Sequence, residues 1–412
     1  MKVVVLSSLA FSLTNFRGNL LREMLANGHE VIAVAPDHDD AVARELSRSG
    51  VDYRVIPMQR AGTNPIADLR LFAAYVWLML REQPQLVLAY TQKPIIYGGL
   101  AARFVAVPRF FALMSGLGHV FSPGSKTSSL LRWVTKRLYR EAVRRARAIF
   151  VFNADDRQDM IDLGIIDARQ KVIQVPGSGV DLAKFERQPL SQDGTSFLMI
   201  ARLLRNKGIP EFLEASKRVS EQHPESRFLI LGHVDDQNPE GITKAEIEQY
   251  GEQYPVEFIP GTADVRPYLA QSSVFVLPSY YREGLPRTIL EAMAVGRPII
   301  TTDQPGCRDP IEEGQNGFIV PPRDAGSLAD AMEKLASDPM LVARMGRRSR
   351  ELAEEIYSDA KVNRQLLDAM DLSALNPPRG PSSNRPSVDQ SEPTARPGQP
   401  AIDLAANEGA AN

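Results

Sequence analysis

The chain has 412 residues, 43% of them apolar and 24% charged, which points to a globular protein of two or three domains rather than one large core. Forty-eight lysines and arginines against 50 acidic residues leave a net charge of -2, so binding nucleic acid through a global basic field is disfavoured. The single cysteine, Cys307, excludes a disulfide scaffold and a cysteine zinc site and fits a reducing compartment.

No run approaches the roughly 18 apolar residues needed to span a bilayer. Met1–Leu6 reads as a first buried strand rather than a signal peptide, because Ser7, Ser8, Ser12 and Asn15 interrupt the apolar stretch before Arg17. Further strands are expected at Glu30–Ala35, Asp52–Pro57, Leu86–Tyr90, Arg109–Leu113 and Ala148–Asn153. Helices fit between them, for instance at Asn19–Asn27, Leu69–Arg81 and Ile95–Phe104. Val175–Asp193 is rich in turn formers and reads as a linker. The pattern then restarts, with strands at Ser196–Ile200, Arg227–Leu231, Val256–Ile259, Val274–Pro278 and Pro298–Thr302. The helices of this half are expected at Pro210–Gln222, Lys244–Gln253, Arg266–Gln271 and Pro286–Val295. The reading is an α/β protein of two doubly wound Rossmann-like domains facing an interdomain cleft, where ligands sit beyond the strand carboxyl ends. The expected divisions are 1–180, 181–355, a helix at 356–372 crossing back to the first domain, and a disordered tail at 373–412. Leu375–Asn412 has seven prolines, three glycines and no aromatic residue, too little apolar surface to offset ordering.

Two stretches carry chemistry. Pro278–Glu291 runs from a strand end through a loop into a helix opened by Pro286, with Glu283 in the loop and Glu291 in the helix. Free amides at that helix start favour a phosphate, and the carboxylates suit sugar hydroxyls. On physics alone, two solvated glutamates on an amphipathic helix explain the stretch as well. Ile200–Gly208 follows the first strand of the second half, and Arg202 and Lys207 there are either diphosphate ligands or solvated loop cations.

Together these stretches resemble the retaining, family-4 type of glycosyltransferase with the GT-B fold. The matching residues are Arg202 with Lys207-Gly208, the Glu283-Gly284-Leu285-Pro286 loop, and the pair Glu283 and Glu291 separated by seven residues. Gly179-Val180-Asp181 with Phe185 at the junction, and Gly314 to Gly317-Phe318 after the last strands, also match. The resemblance covers about residues 1–370. It implies that Arg202 and Lys207 hold the donor diphosphate and stabilise the leaving group, that Glu283 holds donor-sugar hydroxyls, and that Glu291 binds the ribose. The backbone of Gly284 and Leu285 would face sugar and phosphate, and the loops Gly232–Val234 and Gly261–Val265 would contact the base. Same-face attack, with the leaving diphosphate helping to deprotonate the acceptor, needs no protein nucleophile and no metal or other cofactor.

The first half departs from the family's pattern. Leu9–Gly18 carries Asn15-Phe16-Arg17-Gly18 where many members have a Gly-Gly pair, and Tyr90-Thr91-Gln92-Lys93-Pro94 has no histidine. The nearest, His119, lies in Ser115-Gly116-Leu117-Gly118-His119, and is either a sugar contact or an ordinary loop residue. Asn15, Arg17 and His119 are the substrate candidates of this half. Asn15-Phe16-Arg17 and Gly116-Leu117-Gly118 look most like bacterial enzymes that extend undecaprenyl-diphosphate-linked sugars. The resemblance therefore implies a UDP-sugar donor, with N-acetylhexosamine the expected sugar, and a lipid-linked glycan acceptor in surface-polysaccharide or glycoprotein-glycan assembly.

Residues 126–147 hold eight basic residues against Glu141, with Leu130, Leu131, Trp133, Val134, Leu138 and Val143 at roughly helical spacing. A basic amphipathic helix with tryptophan suits an anionic membrane surface; a core helix with a solvated basic face is the plainer reading, and nucleic acid has no other support. The expected location is the cytoplasm, peripheral on the inner face of the cell membrane. Asp37-His38-Asp39-Asp40 looks like a metal-binding D-x-D but reads as an acidic loop, so no metal is expected. The alternatives are a transferase using another nucleotide sugar and a soluble acceptor, a catalytically silent homologue acting as an assembly subunit, and a sugar-nucleotide epimerase of the same fold.

Overall fold

The β-branched runs form two parallel sheets in the computed structural model, which describes residues 1–59, 64–116, 128–190, 194–235 and 238–373. The first sheet contains β1 (Lys2–Leu6), β2 (Glu30–Ala35), β3 (Asp52–Val55), β4 (Leu86–Tyr90), β5 (Arg109–Met114), β6 (Ala148–Val151) and β7 (Val172–Gln174), in the order β3-β2-β1-β4-β5-β6-β7. The second contains β8 (Ser196–Ile200), β9 (Arg227–Gly232), β10 (Val256–Pro260), β11 (Val274–Leu277), β12 (Ile299–Thr302) and β13 (Gly317–Val320), in the order β10-β9-β8-β11-β12-β13. Helices cover both faces, so central strands are apolar throughout: Val3, Val4, Val5 and Leu6 of β1 are fully buried.

The helices of the first half are α1 (Ala10–Asn15), α2 (Gly18–Ala26), α3 (Asp40–Ser49), α4 (Pro65–Glu82), α5 (Gln92–Val105), α6 (Ser129–Val143) and α7 (Ala154–Asp162). Those of the second are α8 (Ile209–Gln222), α9 (Lys244–Gln253), α10 (Arg266–Gln271), α11 (Arg287–Val295), α12 (Ala325–Ser337), α13 (Pro339–Glu355) and α14 (Asp359–Ala369). In each sheet the strand order reverses beside the first strand, between β1 and β4 and between β8 and β11. The switch points place Leu9–Arg17 and Thr91 at the end of one sheet, and Arg202–Gly208 and Ser279–Leu285 at the end of the other.

Several elements differ from the sequence reading. β7 and β13 are edge strands of three and four residues that are only partly buried, so neither reads as a continuous apolar run. Gly317-Phe318 therefore opens the last strand rather than following it. The expected loop at 9–18 holds the short α1. Helix α4 begins four residues early because Asn64 caps it, its side chain accepting from the Ile66 and Ala67 amides, with Pro65 at the first helical position. Pro286 is the residue before the first turn of α11 rather than part of it. The tail, Ser373 excepted, lies outside the described residues, as do Lys126, Thr127 and His119 with its loop from 117 on.

The end of the described chain returns to the first sheet's side. Val180 and Ser358 pair as a parallel bridge, and Val180 N–H donates to Tyr357 C=O at 2.8 Å. Helix α14 then packs on α2: Val362, Leu366, Met370 and Leu372 are fully buried, and the Leu372 carbonyl accepts from Asn27 Nδ2 at 3.0 Å. On the other face of the first sheet, α4 packs on α5 and α5 on α6. Their outward faces leave Ile66, Leu69, Trp77 and Leu80 of α4, Phe104 of α5, and Leu130 and Trp133 of α6 exposed. No helix among the described residues is long and apolar enough to cross a membrane.

Candidate functional site

Strand β8 ends in a tight passage through Arg202 and a 3-10 turn at Arg205–Lys207 before α8. Gly208 turns the chain with φ +84°, and a Cβ there would strike the Pro278 carbonyl, so only glycine lets the two strand-end loops touch. The Asn206 carbonyl accepts the Tyr280 and Tyr281 N–H groups, each at 3.1 Å, and joins the loop after β8 to the loop after β11. Across that seam the Lys207 ammonium is paired with Glu283 Oε1, which also accepts from Ser279 Oγ at 3.1 Å. The Lys207 Nζ lies 5.1 Å from the centre of the Tyr281 ring, and Lys207 is only 9% exposed.

Arg202 does not join the pair. Its side chain is 57% exposed, with Nη1 3.5 Å from Asp235 Oδ2. It still belongs to the same neighbourhood: burial and the Glu283 carboxylate push the Tyr281 phenol up, and the Arg202 charge opposes them. Two cations were expected to face one diphosphate; the structure commits Lys207 to Glu283 and turns Arg202 toward solvent. At the end of β9, the Gly232 carbonyl accepts from Gly261 N–H at 2.8 Å, which holds the loops at 232 and 261 side by side. Val265 precedes α10 and packs on the core rather than standing free.

Glu291 is 7% exposed on the first turns of α11. Burial pushes its carboxyl up; Arg287, one turn earlier with Nε 3.0 Å away, and Lys184 pull it down. Arg287 also donates from Nη1 to the Asn15 carbonyl and lies 5.2 Å from the centre of the Phe16 ring. The sequence reading missed Arg287, although its spacing to Glu291 is that of a helical ion pair. Asn15, Phe16, Lys184 and Arg287 line one cavity of about 180 Å³ with Asp181 and Asp359.

The first half meets the loop after β11 closely. The Gly284 carbonyl accepts from Asn153 Nδ2 at 2.7 Å, and a Cβ on Gly284 would strike the Ser115 carbonyl. Leu285 packs against Gly177 and is 9% exposed. Asn153 also caps α7 through Asp156 N–H, 2.7 Å away, and its role was not read from the sequence. Burial, with lesser contributions from Asp159 and Asp155, pushes the Asp156 carboxyl up to about 7, against Arg282 and Asn153. Arg282 pairs with Asp159 and Arg308 with Asp155, so α7 and the two loops of the second half share an ionic seam. Arg17 is 3% exposed, between the rings of Tyr90 and Phe152 at 5.6 and 6.0 Å.

The acidic run Asp37–Asp40 has structural tasks. Asp37 accepts from Ala10 N–H at 2.9 Å, and Asp39 caps α3 by accepting from Ala41 and Val42 N–H. Among the described residues no group of three or more histidine, cysteine or acidic side chains is placed to hold a metal ion. Cys307 is fully buried, and burial pushes its thiol well up.

Two family models match the chain: a glycosyl transferase 4-like domain over residues 14–176 and glycosyl transferases group 1 over residues 181–352. Among curated relatives, the chain is 27% identical over 354 residues to the N,N'-diacetylbacillosaminyl-diphospho-undecaprenol alpha-1,3-N-acetylgalactosaminyltransferase of Campylobacter jejuni, covering 83% of this chain and 91% of that one. It is 26% identical over 292 residues to the UDP-Gal:alpha-D-GlcNAc-diphosphoundecaprenol alpha-1,3-galactosyltransferase of Escherichia coli, covering 67% and 72%. Among solved structures, HepE of Anabaena in complex with UDP and glucose superposes with a TM-score of 0.72 at 18% identity, over 90% of this chain and 99% of that one. That likeness bears on the fold, which is the GT-B arrangement of two Rossmann-like domains.

Proposed function

Because the chain belongs to the group 1 glycosyl transferases with a 4-like N-terminal domain, we propose that it moves a sugar, with retention, from a UDP-sugar to a polyprenyl-diphosphate-linked glycan. The observation that carries this reading is the Lys207–Glu283 pair, buried where β8 and β11 end and one loop away from Glu291 on α11. When a donor enters, Lys207 exchanges part of its pairing with Glu283 for the diphosphate, and Arg202, in an exposed contact with Asp235, swings to the same charge. Glu283 is then free to accept from sugar hydroxyls, and Glu291 from the ribose. The cations stabilise the charge that develops on the leaving diphosphate, so the transfer requires no divalent metal. The departing oxygen takes the acceptor's proton on the same face.

N-acetylhexosamine is the proposed sugar, after the C. jejuni relative, and the lipid-linked acceptor follows both curated relatives. Asn15 and Arg17 are the substrate contacts of the first half in this proposal, and His119, outside the described residues, is a third. The acceptor's lipid implies contact with a bilayer. The exposed stripe of α6, Leu130, Trp133, Arg137, Arg140 and Arg144, supports docking on an anionic surface. The outward Ile66, Leu69, Trp77 and Leu80 of α4 add apolar area on the same side of the sheet, a feature absent from the sequence reading. The test is to offer purified protein a panel of radiolabelled sugar nucleotides with a bacterial lipid extract. Label from UDP-N-acetylhexosamine entering the lipid phase is expected; label entering only a water-soluble product would overturn the acceptor.

A further inference from the structure

Arg17 precedes α2, whose first turn has no side-chain cap, and its guanidinium turns inward between Tyr90, the last residue of β4, and Phe152, just past β6. Both rings stand at the carboxyl end of the first sheet. Phe152 in turn reaches Gly284: a Cβ on that glycine would lie 3.1 Å from Phe152 Cδ2. The guanidinium therefore sits opposite the loop after β11.

Among the described residues no carboxylate pairs with Arg17, and its buried Nε and Nη1 have no hydrogen-bond partner. Burial pulls its pKa down to about 10; the Tyr90 hydroxyl opposes the shift, and another cation, Arg287, adds to it. A guanidinium remains protonated there at neutral pH, and a desolvated cation without an anion is costly for any fold to keep. Two aromatic faces offset part of that cost. The nearby hydroxyls satisfy one another instead: Ser12 Oγ lies 2.7 Å from Ser7 Oγ and 2.9 Å from Tyr90 Oη. By contrast, the buried Arg297 of the second half donates to four backbone carbonyls, as a structural arginine does.

We propose that Arg17 is the core of an anion subsite on the first-domain wall of the cleft, built to receive a diphosphate. The inference rests on the transferase reading, which brings two diphosphates to this cleft, one on the donor and one on the acceptor. The planar fork of arginine suits either.

The experiment uses the full chain as wild type, Arg17→Gln and Arg17→Lys. Inorganic pyrophosphate binding is measured by competition and by thermal shift. The preference for UDP over uridine, and for an octyl-diphosphate-linked N-acetylhexosamine over its octyl glycoside, is then measured for each protein. Arg17→Gln is expected to weaken pyrophosphate by about 10–100-fold and to collapse one of the two preferences. Loss of the UDP preference assigns the donor's diphosphate; loss of the acceptor preference assigns the acceptor's. Arg17→Lys, which keeps the charge and loses the fork, should fall between, and it serves alone if Arg17→Gln does not fold. Pyrophosphate affinity and both preferences within twofold of wild type in the folded variant would overturn the subsite, including where the melting temperature drops. Wild-type protein that transfers sugar beside such a variant rejects only the subsite. Wild-type protein that transfers nothing, yet loses pyrophosphate with Arg17, rejects only the transferase reading.

Discussion

Arg287 Nε lies 3.0 Å from Glu291 Oε1, one turn apart on α11, while the same guanidinium donates across the cleft to the Asn15 carbonyl. A buried carboxylate at the proposed ribose site is thus balanced by a cation that also grips the first half. Removing Arg287 takes away the larger of the two cationic influences on Glu291 and leaves Lys184 alone to oppose its burial. Arg287→Met should cost on the order of 3 kcal/mol in urea unfolding, and adding Glu291→Leu should recover part of it. A double variant whose loss equals the sum of the Arg287→Met and Glu291→Leu single losses would show that the pair is not coupled.

Lys207→Ala and Glu283→Ala should each lower transfer about 10²-fold or more, because each removes a contact that acts on the leaving group or the sugar. The two residues share one ion pair, so the double variant should lose less than the product of the singles. Normal turnover in either single variant would remove the site assignment.

Stability should respond to pH through Asp156. Its folded pKa, about 7, stands above the unfolded carboxylate value of about 3.9. Between those values the folded chain holds the extra proton, so stability present below about pH 4 is lost as pH rises toward 7, at no more than about 1.4 kcal/mol per unit. Asp156→Asn lacks this titration, and its stability relative to wild type should increase between pH 5 and 8. Parallel pH profiles in urea unfolding would count against the shift.

Reversing Arg137, Arg140 and Arg144 to glutamate should release the protein from anionic vesicles. Each basic residue near such a surface is worth about 1 kcal/mol, weakened by salt. UDP affinity should stay unchanged. Activity on a short-chain soluble acceptor should survive while activity on a polyprenyl acceptor in vesicles falls. Wild-type co-sedimentation of the triple variant would make α6 a merely solvated face.

The sheets were legible because fully covered parallel strands read as continuous apolar runs, as in Val3–Leu6 and Phe197–Ile200. β7 and β13 were not, since these edge strands are only partly buried and lack a continuous apolar run, one ending in Gln174 and the other opening on Gly317. Lys207, Glu283 and Glu291 stood out through their joint spacing, and the structure brings Lys207 and Glu283 into contact. Arg202 lies in the loop after β8, and its orientation toward Asp235 depends on a residue 33 positions away. Arg17 lies between Phe16 and Gly18 at a helix start, where arginine is ordinarily exposed; its burial arises from Tyr90 and Phe152, far along the chain. Asn153 was hidden for the same reason, its partner Gly284 lying 131 residues on.

The seating of α14 on α2 bears on biosynthesis. The groove that Val362, Leu366, Met370 and Leu372 fill belongs to the half of the molecule translated first. At about 5–20 residues per second, the ribosome needs roughly 10–40 s to pass from the end of the first sheet to Leu372. Throughout that interval the nascent first half presents an open apolar groove, and its last helix arrives only after the second sheet has emerged. A chain stalled or truncated near residue 355 would carry a complete second sheet and an unfinished first half, a form suited to capture by chaperones and to proteolysis.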